Sequence, residues 1–62
     1  MTHAEIRTTI SWALINMDRA DRMLELSQHE SIPSAAKLLK EDSAVLYRSA
    51  VLELKDAVSH LD

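Results

Sequence analysis

LLKEDSAVLYRSAVLELKDAV, residues 38–58, reads as one helix that carries two apolar seams. Ala36, Leu39, Leu46, Ala50, Leu54, Ala57 and Leu61 recur at the three-and-four spacing of a helix face. On a neighbouring face Leu38, Val45 and Leu52 repeat every seven residues, with Ala44, Val51 and Val58 beside them at the same interval. A single partner helix covers one seam and leaves the other open. The chain has room for only one other long helix, so the second seam predicts a second molecule: a copy of the chain, a different protein, or both.

Working outward towards the N-terminus, Thr2-His3-Ala4-Glu5 has the pattern of a capping box, which predicts that a first helix starts at Thr2. From there Ile6, Ile10, Ala13, Met17, Ala20 and Leu24 alternate by four and three, the seam of an antiparallel helical pair, with Leu14 and Met23 widening it. The only break is His29-Glu30-Ser31-Ile32-Pro33-Ser34. Pro33 has no backbone N–H to donate and pushes Ile32 towards extended geometry. Either Ser31 or Ser34 is placed to cap the second helix. The expected organisation is one domain over residues 1–62, with helix one over about 2–28, a loop over about 29–33 and helix two over about 34–60. So short a connection returns the second helix antiparallel to the first.

Composition agrees with that reading. Gly is absent and Pro occurs once, which favours helices over a sheet and its turns. A chain of 62 residues buries only about 60% of the surface it exposes when unfolded. With no Cys, it has neither disulfides nor thiolate metal sites to supplement its core, and self-association is the remaining common device. The fold class expected is therefore all-α: an antiparallel two-helix hairpin, dimerising into a four-helix bundle. The N-terminus shows no signal peptide, and the longest purely apolar stretch, Ala13-Leu14-Ile15, falls far short of the ~20 residues that span a bilayer. Lys and Arg are not gathered on one polar face, so a membrane-surface helix is a poor fit. A cytoplasmic protein is expected.

Ser43 falls on the primary seam of helix two, where a small residue allows close approach and its hydroxyl can bond the preceding turn. Tyr47 flanks that seam, and Glu41, Arg48 and Lys55 share a solvated outward strip. On helix one, roughly opposite the Ile6 to Leu24 seam, Trp12, Ile15, Arg19, Arg22 and Leu26 follow spacings of three, four, three and four. Aromatic and Arg residues are enriched at interaction hot spots, which makes this strip a candidate partner-binding surface. An aromatic-plus-guanidinium strip also suits RNA. Alternatively, Trp12 and Ile15 pack against a second hairpin, with Arg19 and Arg22 paired to Asp18, Asp21 or Glu25. The net charge of −3 disfavours a general nucleic-acid binder, whose affinity comes from neutralising phosphates.

His3, His60 and Asp62 fall at one end of such a hairpin, yet no ligand pair stands at i, i+4 and no zinc spacing is matched. The serines form no array with His and Asp, and no Gly-rich loop is present to hold a phosphate. No enzyme, metal or cofactor is expected.

At Leu46-Tyr47-Arg48-Ser49 the chain resembles the second helix of Rop, a small plasmid protein whose hairpins dimerise into an antiparallel four-helix bundle. Aligned from those residues without a gap, the resemblance covers nearly the whole chain, and the seams Ile6 to Leu24 and Ala36 to Ala50 fall in the bundle's core register. It implies RNA binding on helix one, with Trp12 as the aromatic contact and Asn16 as an amide contact. Thr8 and Met23 stand where that family has polar and basic residues, and Leu38, Val45, Val51 and Leu52 are apolar beyond the needs of four helices. The leading expectation is accordingly a small regulatory or adaptor protein that acts by stoichiometric protein–protein binding, with the strip at Trp12, Ile15, Arg19, Arg22 and Leu26 as one contact surface. Leu38, Val45, Val51 and Leu52 form the other, either for self-association or for a second partner. A Rop-like RNA-binding regulator and a structural subunit of a larger helical assembly are the alternatives.

Overall fold

A computed structural model describes residues 1–61 as two helices, α1 (His3–His29) and α2 (Pro33–Ser59), packed side by side as an antiparallel hairpin. The fold is all-α. Its extents of 46 × 13 × 11 Å describe a rod.

Thr2 is the N-cap of α1, its hydroxyl accepting from the Glu5 backbone N–H at 3.1 Å. The same hydroxyl donates to Glu5 Oε1 at 3.1 Å, so the carboxylate meets the capping side chain. α2 starts differently from expectation. Neither Ser31 nor Ser34 caps it; the N-cap is Ile32, which makes no side-chain cap bond. Pro33 explains the choice, because its fixed φ and missing N–H suit the first helical position and hold the residue before it extended. Glu30 Oε1 accepts from the Ile32 N–H at 3.1 Å and ties down the short loop.

The buried seam is built almost wholly of small residues. Ile6, Ala13 and Ala20 of α1 face Ser43, Ala50 and Ala57 of α2, each set spaced by seven. Ser43 fixes the register, since its hydroxyl donates to the Ala20 carbonyl at 2.6 Å. This is a correction to the sequence reading: the bond crosses to the other helix instead of returning to the preceding turn. From that pair, steps of seven in opposite directions bring Ala13 level with Ala50 and Ile6 level with Ala57. Each alanine methyl removed from water contributes about 0.8 kcal/mol, whereas ordering one residue's backbone costs about 1–2 kcal/mol. The seam therefore sets the spacing and register of the helices while stabilising them only modestly.

Candidate interaction surface

Larger apolar residues lie on the two flanks of that seam. On one flank Leu24 of α1 and Ser43, Ala44, Tyr47, Val51 and Leu52 of α2 line a long open groove, edged by Asp21, Lys40, Arg48 and Lys55. The register carries the groove along the rod. Met17 comes level with Tyr47, and Ile10 with Leu54; Ile10 also lines a smaller depression with His3, Ile6 and Leu61 at the open end of the hairpin. Ile10, Met17, Val51 and Leu54 are half-buried, while Leu14, Tyr47, Val58 and Leu61 are exposed. The other flank is more polar, because Thr9 and Asn16 occupy the positions that mirror Ile10 and Met17.

Leu38, Val45 and Leu52 run along the outer side of α2, at 60%, 66% and 60% exposure. No part of the hairpin covers them. Val51, grouped with them on the sequence, is half-buried on the groove side, and Leu52 reaches the groove's outer lip. The other candidate strip also lies outside: Trp12 is 56% exposed and Leu26 60%, with Ile15 exposed beside them. Arg22 pairs with Asp18 at 3.0 Å, one of the pairings the sequence suggested. Arg19 makes no ion pair among the described residues.

Sequence reasoning did not single out the groove as a surface of its own, because its walls come from both helices. Leu14, Leu24, Tyr47 and Val58 each have the right spacing, but only the register of the hairpin shows that they share a flank. His3, His29 and His60 are exposed, and His60 Nε2 lies 3.9 Å from Asp56 Oδ1. The grouping of His3 and His60 with Asp62 reaches outside the described residues. Among those described, no three His, Asp or Glu side chains converge as metal ligands. Neither helix is long and apolar enough to cross a membrane. Comparison with family models, curated proteins and solved structures finds no match.

Proposed function

We propose that this chain is a small, non-enzymatic regulatory or adaptor protein of the cytoplasm. It binds another protein stoichiometrically through a face of α1, and its hairpins associate in pairs as four-helix bundles. The observation that carries this reading is apolar surface on several sides of a two-helix rod: the groove, the Leu38/Val45/Leu52 stripe and the Trp12 strip. Two helices offer no enclosed cavity for chemistry, but they present preorganised helix faces whose anchors lose little entropy on binding. Trp12, Ile15, Arg19, Arg22 and Leu26 supply an aromatic anchor, aliphatic neighbours and guanidinium donors in one strip.

The test compares proteins captured by the full chain with those captured by Trp12→Ala, quantified by mass spectrometry, with helicity checked by circular dichroism. One protein recovered in fixed proportion with the native chain, and lost with the variant, supports the reading. Equal recovery by both removes the strip from it.

A second reading, an RNA-binding regulator, is favoured by Trp12 and Asn16 standing one turn apart on α1 beside Arg19, which has no ion-pair partner among the described residues. It predicts binding of structured RNA that weakens steeply with salt and depends on Arg19. Absence of a gel shift at low salt eliminates it.

A further inference from the structure

Four of the seven Lys and Arg residues fringe the groove flank: Lys40, Arg48 and Lys55 along its α2 edge, and Arg7 in the depression that continues it at the open end. None of the four has Asp or Glu three or four residues to either side, and none makes an ion pair among the described residues. Arg22 and Lys37, by contrast, each pair with a carboxylate four residues away on their own helix. Asp21 is the only carboxylate lining the groove or that depression among the described residues, and it lies in the loop half of the rod. An apolar floor is thus bordered by positive charge that the hairpin itself leaves unanswered.

We propose that the groove binds one amphipathic helix of a partner protein, apolar along one face and acidic beside it, as the third helix of a bundle. This goes beyond the proposed function, whose partner meets the Trp12 strip away from the groove. Residues 40–55 of α2, which run the length of the groove, span about 22 Å, or about four turns of an occupying helix. The backbone groups of α1 and α2 bond within their own helices, so the floor at Leu24, Tyr47 and Val51 is made of side chains alone. An extended segment laid on it would leave its N–H and C=O groups without partners, whereas a helix arrives with its own already bonded.

The other occupants fit less well. Met17, Val51 and Leu54 are half-buried, so a flat lipid surface would rest on the rim above them. An RNA backbone would answer the cations and leave those aliphatic side chains bare. A second copy brings the same charges with it. Laid groove to groove with the rods antiparallel, it sets Arg48 beside its own copy and Lys40 beside Lys55. With the rods parallel it joins Asp21 to Lys40 but brings Arg7 against Lys55. Asp or Glu beside the apolar stripe of a partner helix answers all four cations at once. Exposed ion pairs are individually weak, so the floor supplies most of the affinity and the cations select the sign of the partner. Leu38, Val45 and the Trp12 strip stay outside this contact and remain open to pairing or to other partners.

The probe is a synthetic helix of about 18 residues, long enough for the groove, blocked at both ends, with Leu at heptad positions a and d and Glu flanking them. A second peptide carries Lys in place of every Glu. Fluorescence anisotropy of the labelled peptides against the full chain should show saturable one-to-one binding of the acidic helix, and binding of the basic one weaker by about tenfold or more. The acidic helix should also lose about tenfold in affinity for the double variant Arg48→Glu, Lys55→Glu and for Tyr47→Gln. Val45→Gln and Trp12→Ala should bind it as the native chain does, each variant being checked for helicity by circular dichroism. Equal binding of both peptides, or no binding of the acidic one by a fully helical chain, overturns the proposal. Loss of binding in Trp12→Ala with full binding in Tyr47→Gln overturns the choice of face. A two-copy mass in sedimentation equilibrium that Tyr47→Gln abolishes and excess acidic peptide leaves intact gives the groove to a second copy. Structured RNA or anionic vesicles that displace the peptide, and that need Arg48 and Lys55 to do so, assign the cations to phosphate and overturn the proposal as well.

Discussion

The Ser43 hydroxyl of α2 donates to the main-chain carbonyl of Ala20 on α1 at 2.6 Å, and it is the one hydrogen bond joining the two helices among the described residues. A side chain as short as serine reaches a carbonyl on the neighbouring helix only when the two backbones are close. Alanine at Ala13, Ala20, Ala50 and Ala57 makes that approach possible along the whole rod. Close approach also explains why the large apolar residues other than Ile6, which is buried near the open end opposite Ala57, stand on the flanks: little room is left for them where Ala13 and Ala20 meet Ala50 and Ser43.

Ser43→Ala should be mild. It removes a donor whose acceptor, the Ala20 carbonyl, keeps its bond within α1, so the expected loss is at most about 1 kcal/mol. Ser43→Leu forces the backbones apart and should cost about 1–3 kcal/mol. Urea midpoints at one fixed protein concentration separate the two, and equal midpoints would contradict a close-packed seam.

Ala50→Leu probes the same spacing two helical turns away. Overpacking by three carbons at a fully buried position should lower stability by about 1–3 kcal/mol. The same change at Ala44, which is exposed beside the groove, should cost much less. Thermal melts followed by circular dichroism provide the comparison.

The helix starts differ in a way that predicts opposite signs. Thr2→Ala removes a cap that accepts from Glu5 and should cost about 0.5–2 kcal/mol, read as a lower denaturation midpoint. Ile32→Asp supplies an acceptor where α2 has none and places negative charge at the positive end of the helix dipole; a gain of about 0.5–1 kcal/mol is expected. A loss at Ile32 would show that its side chain packs in a way its 58% exposure does not indicate.

The Asp18–Arg22 pair is a control. Both side chains are well exposed, so Asp18→Ala should change stability by no more than about 0.5 kcal/mol despite the 3.0 Å separation. A larger loss in the same denaturant titration would mean that the pair is shielded in the assembled protein.

Trp12 is the only tryptophan, and its fluorescence reports its surroundings without labelling. It lies away from the groove, so pairing of hairpins through the groove would leave its emission and its quenching by acrylamide constant as concentration rises. A blue shift or protection on association would place Trp12 inside the contact.

Much of the fold was legible because helix formation leaves a local record. Thr2 three residues before Glu5, Pro33 after Ile32, and seams that alternate by three and four each depend on neighbours in sequence. The capping of α2 was less legible. Ser31 and Ser34 are good capping residues by type, yet Pro33 decided the boundary through its backbone geometry.

The chain alone determined that there are two amphipathic helices, where they turn, and that they carry more apolar surface than one pair can hide, since periodicity and composition are properties of single segments. Tertiary structure decided the rest. Whether Ser43 bonds its own helix or the other, whether Val51 sides with Val45 or with Tyr47, and which flank becomes a groove all depend on the register and rotation of one helix against its neighbour. Those are fixed by how closely alanine and serine let two backbones approach, and no single helix records that distance.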